Sequence, residues 1–414
     1  MDIPQGYKQT ELGIIPEDWE VVVIGEQGIL QNRSVNPQQE PHKIFCEYSM
    51  PSYDNDKIPI YRCGNEMYSS RFAICGPVLL FNKLNVRQKR IWFLENTPSD
   101  SICSMEFLPY SSDSIDLLLL SHILGTDQST EYFVGLSKGT SNSQKRIRPI
   151  DFISKKIAIP SSLAEQQTIA EALSDIDGLI AALDKKIAKK RLIKQGAMQQ
   201  LLTGKKRLPE YTDKWKYVRF DDCVEIYRGG SPRPIEKFIT SQANGINWIK
   251  IGDVKSNDKY INRTEERIIP EGVSRSRQVY VGDFILSNSM SFGRPYILNI
   301  EGCIHDGWLV IQNYHRHFDK GFLYYMLCSE NVMAQYIGMA AGSSVKNLNK
   351  DKVASLLLFI PKTIDEQQAI ATILSDMDKE IGDLEAKRDK YRLLKSGMMQ
   401  KLLTGQIRLK INRI

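Results

Sequence analysis

The segment Pro160–Leu208 returns at Pro361–Leu409 without a gap, 201 positions later, and roughly half of the aligned residues are identical. A period of that length is far too long for a solenoid, so it marks duplication of a whole unit. Inside each copy the apolar residues step alternately by four and three: Ile169, Leu173, Ile176, Ile180, Leu183 and Ile187, then Ile370, Leu374, Met377, Ile381 and Leu384. This a/d spacing lays one apolar stripe along a helix that faces a partner helix. From Glu165 to Leu202 the pattern contains no proline and predicts a helix of about 60 Å at about 1.5 Å per residue. An ordinary amphipathic core helix has the same spacing, but that length outruns one globular core.

Each predicted helix begins soon after a proline, Pro160 or Pro361, and stops at a shared Leu-Leu-Thr-Gly, where Gly204 or Gly405 can take the left-handed C-cap conformation. Gly196 and Gly397 lie at matched places inside the helices, each at a cost of about 1 kcal/mol relative to alanine. Close approach of a helix or partner explains the match, and so does inheritance from the duplication. Leu201, Met198, Met398 and Met399 are expected on an exposed side that needs cover.

Two globular segments, Trp19 to Ile159 and Trp215 to Ile360, alternate with the helices. They carry short β-like runs (Glu20 to Ile24, Pro77 to Phe81, Ile246 to Ile251, Asp283 to Leu286, Trp308 to Gln312) and later helical runs (Ser114 to Leu124, Gly321 to Ile337), which reads as α+β. Ile15-Pro16-Glu17-Asp18-Trp19 resembles the stretch from Leu208-Pro209-Glu210 to Trp215, so the C-terminal Leu-Leu-Thr-Gly continues naturally into the start of the chain. Antiparallel packing of the two helices then brings the chain ends together, with approximate two-fold symmetry.

The 414 residues, 42% hydrophobic, suffice for two or three domains with their own cores. No apolar run is long enough to span a bilayer, and the N-terminus lacks a basic-then-apolar signal pattern. Seven cysteines without any C-x-x-C pairing read as buried reduced thiols of a cytoplasmic protein. The net charge of +6 favours nucleic acid only slightly; where the charge lies says more. Polar and basic clusters occupy Asn82–Arg90 and Ser141–Arg148 in the first segment, Tyr227–Arg233 and Gly342–Lys350 in the second. Arg and Lys neutralise phosphate, and Asn, Gln and Arg can make paired hydrogen bonds to base edges. Solvated surface loops have the same composition, but Ser141–Arg148 and Ser343–Lys350 both stand shortly before the final strand that leads into a repeated helix.

The order unit, helix, unit, helix resembles the specificity subunit of type I restriction-modification systems over nearly the whole chain. The motifs that carry the resemblance are Glu165-Gln166-Gln167 and Glu366-Gln367-Gln368, the L-S-D-x-D at Leu173–Asp177 and Leu374–Asp378, and the terminal Q-x-L-L-T-G. Val281–Leu286, Gly293-Arg294 and Gly342–Asn349 also resemble the family's target-recognition domains, while Gly76–Leu80 matches the corresponding segment less regularly. The resemblance implies an α+β fold with target-recognition domains at 1–160 and 205–361 and helical spacers at 161–204 and 362–414, the helices forming an antiparallel coiled coil. It implies a non-catalytic reader of double-stranded DNA, each domain taking one half of a bipartite asymmetric site, while the helices set spacing and dock two methyltransferase subunits. Restriction subunits then join; S-adenosylmethionine, ATP and Mg belong to the partners and no cofactor to this chain.

The DNA contacts it suggests are Asn82, Lys83, Arg87, Lys89, Arg90, Gln144, Lys145, Arg146 and Arg148 in the first domain. In the second they are Arg228, Arg233, Asn288, Ser289, Arg294, Ser344, Lys346 and Asn347; Glu165, Gln166, Gln167, Glu366, Gln367 and Gln368 are the partner contacts. Two alternatives stay open: the specificity chain of a two-component restriction-modification enzyme, and a coiled-coil scaffold without a DNA role.

Catalytic chemistry finds no support in the residues. There is no N-P-P-Y or D-P-P-Y loop and no F-x-G-x-G. Gly135–Thr140 lacks the G-K-[ST] order of a phosphate loop. Glu385-Ala386-Lys387 has the E-x-K form of a nuclease but sits in a helical charge pattern, and His315-Arg316-His317 has no cysteine or carboxylate cluster at ligand spacing nearby.

Overall fold

The computed structural model describes residues 3–139, 144–255, 258–288, 293–340 and 348–410. The chain divides into two compact units, residues 1–184 with 386–414 and residues 185–385. The boundary runs through the middle of two helices of 39 residues, Leu163–Leu201 and Ile364–Leu402, so each unit holds the first half of one long helix and the second half of the other. Both helices begin and end close to where the repeat places them, and Gly204 and Gly405 take φ of +68° and +69° after their last turns.

In the first unit the helix halves run antiparallel. Lys395 pairs with Asp177 at 2.6 Å and Arg392 with Asp184 at 3.1 Å, so partners fall in number along one helix as they rise along the other. The second unit repeats the pattern with Lys194–Asp378, Arg191–Glu385 and Lys190–Glu380. The predicted stripe faces inward: Ile169, Leu173, Ile176, Ile187, Ile370, Leu374 and Ile381 are buried.

Among the described residues each globular part carries two larger sheets besides two-stranded ones. In the first unit one sheet is antiparallel, ordered Ile91–Leu94, Val78–Asn82, Phe107–Ser111, Ile29–Leu30; the other is centred on a parallel pair, Ile44–Tyr48 beside Ser101–Ser104. The second unit has the same parallel centre in Ile246–Ile249 beside Gly302–Ile304, with a mainly antiparallel sheet built around Trp308–Gln312 and Phe284–Ser287. In both, the last strand before the long helix pairs with the first strand of the globular part, Lys156–Pro160 with Trp19–Val23 and Leu357–Ile360 with Lys216–Arg219. The helical run expected as Gly321 to Ile337 is two helices, Lys320–Leu327 and Glu330–Ala340. The break falls at Ser329, whose hydroxyl accepts the Val332 N–H at 3.3 Å; a hydroxyl that caps a new helix stops the old one.

The helix starts differ from expectation in what their E-Q-Q does. Glu165, Gln166, Glu366 and Gln367 are at most 3% exposed and serve their own unit rather than a partner. Gln166 accepts the Asp116 N–H at 2.8 Å and donates to the Pro160 carbonyl at 2.9 Å; Gln367 likewise accepts from Asp319 N at 2.9 Å and donates to the His317 carbonyl at 3.0 Å. Glu165 is held by Arg408, and Glu366 by Arg207 at 2.7 Å and the Trp215 indole N–H at 3.0 Å. Only Gln167 and Gln368 of these six face solvent.

The chain ends meet in the first unit, where the Tyr7 hydroxyl donates to the Gly405 carbonyl at 3.0 Å and Arg408 grips Asp18. At Gly196 and Gly397 a Cβ would meet nothing within 4 Å, so no close helix approach explains these glycines. Leu201 is buried and Met198, Met398 and Met399 pack against core clusters of their own units; the exposed apolar pairs are Leu192–Ile193 and Leu393–Leu394 instead. All seven cysteines are free, and Cys75 and Cys328 are exposed rather than buried.

Replacing Glu366 by Ala strands the Arg207 guanidinium and the Trp215 N–H at a buried place, and is expected to cost about 3 kcal/mol in urea unfolding. In the first unit, burial pushes the His122 imidazole, 3.1 Å from the Ser174 hydroxyl, down from 6.5 to about 4 against the pull of Asp177. The unfolded chain therefore takes up this proton first, so the stability present above pH 6.5 is lost as the pH falls toward 4, a loss of about 3 kcal/mol. Unfolding of His122→Gln across that range should show a flatter pH profile than the wild type.

Candidate nucleic-acid interface

In the first unit two basic segments, separate in sequence, lie side by side. Asn85 N–H donates to the Lys145 carbonyl at 2.8 Å and Ile147 N–H to the Lys83 carbonyl at 3.1 Å, and Leu84 forms a β-bridge with Arg146. Asn85 and Lys89 both take φ of +50°, which turns the chain out of strand Val78–Asn82 and back. Asn82, 2% exposed, accepts the Leu84 N–H at 2.9 Å and holds this turn from inside, out of reach of a ligand.

The cations here are of two kinds. Arg90 makes a two-point bond to Asp54, Lys89 pairs with Asp127, Arg146 with Glu106 and Arg148 with Asp151. The arginine hydrogen bonds hold the Asp54 and Asp151 carboxyls below the usual carboxylate range. Lys83, Arg87 and Lys145 have no ion-pair partner among the described residues, and Arg87 and Gln144 are exposed. Unpaired cations and an exposed amide are therefore grouped along one ridge, with a row of neutralised pairs beside them.

The second unit gathers three loops around Asp306. Its carboxylate accepts the Ser231 hydroxyl at 3.0 Å and faces Arg233 at 3.4 Å, while its carbonyl accepts Asn288 Nδ2 at 3.1 Å and Arg228 Nε at 3.3 Å. Burial pushes the Asp306 carboxyl up, but the Ser231 hydrogen bond and the His305 ring outweigh it and the group sits below its ordinary value. Gly229 N–H bonds the Trp308 carbonyl at 2.8 Å, and a Cβ there would stand 2.0 Å from the His305 carbonyl oxygen. Only glycine lets the chain approach so closely. Leu348 N–H donates to the Asn288 carbonyl at 2.8 Å.

Three of the sequence candidates, Arg228, Arg233 and Asn288, thus converge. Arg294 does not join them; it lies over the Tyr296 ring at 5.7 Å and lines a groove with Lys194, Lys259 and Tyr324. Ser289, Ser344, Lys346 and Asn347 lie outside the described residues. The sequence reading missed Asp306, the hub, because it searched for cations and amides. Arg277 was missed as well; with Lys350, the last residue of the Gly342–Lys350 cluster, it flanks the Tyr227 ring at 4.7 and 5.6 Å, and Tyr227 followed by an arginine was the signal at hand.

Among the described residues no group of His, Cys, Asp and Glu could hold a metal ion, and no helix is long and apolar enough to cross a membrane. The arrangement offers fixed hydrogen-bond donors and cations, suited to an anionic polymer with patterned edges.

A family model described as "Type I restriction modification DNA specificity domain" matches residues 212–390. Two specificity subunits of Methanocaldococcus jannaschii, those named for the type I restriction enzymes MjaX and MjaVIII, are each 25% identical to this chain, covering 98% of it and 97% of the relative. The crystal structure of a type I restriction-modification S subunit from M. genitalium shares the fold, with a TM-score of 0.61 and 13% identity over 97% of this chain and 98% of that one.

Because Gly229 is pressed against His305, Gly229→Ala should loosen the Arg228–Arg233 loop while leaving the core folded. Hydrogen exchange is expected to show faster exchange at Gly229 and Gly230, whereas Gly252→Ala, where a Cβ meets nothing within 4 Å, should leave the same amides unchanged.

Proposed function

The chain belongs to the specificity subunits of type I restriction-modification systems, and from that premise we propose that its two globular parts, within 1–160 and 205–361, each read one half of a bipartite asymmetric site in double-stranded DNA. The observation that carries this reading is a repeated frame bearing two unlike polar surfaces. The E-Q-Q, the Arg–Glu clamp and the helix ion pairs recur in both units. The loop after the central strand is tied to the loop before the last strand in both units, Ile147 N–H to the Lys83 carbonyl and Leu348 N–H to the Asn288 carbonyl, but the side chains presented differ: Lys83, Arg87, Gln144 and Lys145 on one side, Arg228, Arg233 and Asn288 on the other. A duplicated scaffold with diverged readers suits two different half-sites.

The chain is the recognition subunit and not the catalyst. Methylation and ATP-dependent cleavage, with S-adenosylmethionine, ATP and Mg, fall to two methyltransferase subunits and to restriction subunits in the cytoplasm. The long helices (spacers 161–204 and 362–414) set the distance between half-sites and dock the methyltransferases. Leu192 and Leu393, 68% and 76% exposed at matched positions of the repeat, supply two alike apolar footholds for two alike partners.

Genome-wide methylation mapping, in cells with the neighbouring methyltransferase and with or without this chain, tests the reading. A split methylated motif that vanishes with the chain is the expected result; identical methylation in both strains overturns it. Arg233→Ala should cost about 1–3 kcal/mol at one half-site only, whereas Lys83→Ala should weaken all sequences alike and lower the salt slope by about one. Equal losses at both half-sites from Arg233→Ala would contradict the division of labour.

A further inference from the structure

Beside the Asp306 cluster, inside the second unit, lies a cleft of about 870 Å³ whose walls are mainly apolar: Pro232, Pro234, Ile235, Trp248 and Ile251, with the His305 ring 6.4 Å from that of Trp248. Trp248 is 2% exposed and so forms a fixed wall. Besides Arg233, three charged groups stand in this lining: Lys250 and Glu266, paired at 2.5 Å and each about one-third exposed, and Glu236, which is exposed. At the mouth are Ser231 and Arg233, the latter with 81% of its side chain in solvent, both part of the Asp306 cluster.

An apolar cleft in a face that meets DNA needs an apolar complement. Stacked B-form DNA presents phosphates and polar base edges, and its only apolar group in the major groove is the thymine methyl, which has no flat face to lay along these walls. A base turned out of the stack is different: its faces are flat and apolar and its edge carries donors and acceptors. The geometry therefore assigns to this cleft one nucleobase extruded from the half-site that the second unit reads, an assignment that rests on the DNA-reading function above. The base faces lie against Pro232, Pro234 and the His305 ring. Glu266 accepts from an exocyclic amine and Lys250 donates to a ring nitrogen or carbonyl, while Arg233 at the mouth stays free for the edge of a neighbouring base.

Gly252 gives a clean way to close the cleft, since it lines the space and a Cβ there meets nothing within 4 Å. The experiment uses the complex of this chain with its methyltransferase and duplexes carrying 2-aminopurine at each position of the mapped half-site in turn. Methyltransferases extrude their own target base, so the methylated adenine serves as the internal control. The expected result is a several-fold fluorescence rise at one further position, lost in Gly252→Phe while the control signal persists. If Gly252→Phe does not fold, Glu266→Gln asks the same question without added bulk and should reduce the rise several-fold. No rise except at the methylated adenine, or a rise that survives in the variants, overturns the assignment while leaving the DNA-reading function standing. Failure of the wild-type complex to prefer its mapped site over random duplex overturns that function, and the assignment with it.

Discussion

The structure depends on a buried carboxylate at the start of each long helix. Glu366, fully buried, is gripped by Arg207, which follows the Leu-Leu-Thr-Gly end of the other helix. Glu165 is gripped in the same way by Arg408. A buried carboxylate is costly unless it is paired and hydrogen-bonded, so each helix start can be buried only when the opposite helix end is in register beside it. The negative charge also sits well at a helix N-terminus. The two clamps are not identical: the Trp215 indole N–H completes the one around Glu366, while Asp18 takes the remaining Arg408 bonds in the other and the Trp19 N–H has no hydrogen-bond partner among the described residues.

That clamp explains why both units need both helices. A stretch of chain that holds only one of the two long helices carries the glutamate of one clamp and the arginine of the other, and so completes neither. The next layer follows from it, since Gln166 and Gln367, one residue on, cap short helices of the globular parts. The scaffold leaves no freedom at these positions, and the surface loops, which carry none of this burden, are where the two units differ.

Much of this frame was legible in the residues. Periodicity gave the long helices, and the shared glycines, Gly204 and Gly405, gave their ends, because a repeating apolar stripe and a positive φ leave direct marks in sequence. The E-Q-Q signal was equally visible but its role was not: a motif at a helix start can face a partner or the chain itself, and only burial decides. The interface was legible in part. Arg228, Arg233 and Asn288 converge because strands from distant parts of the chain place them together, while Arg294, six residues after Asn288, lines another groove. Asp306 carries no cationic signature, and its importance comes from the four groups it gathers. Arg90 and Arg146 show the converse, since their intended use as contacts is met first by Asp54 and Glu106.

The central claim is that one repeated frame presents two independent readers. Photocrosslinking residues introduced singly at positions 87 and 233, in the complex with methyltransferase on a duplex of the mapped site, address it directly. The account predicts that the two positions crosslink to different halves of the site. Crosslinks from both positions to the same half would contradict it.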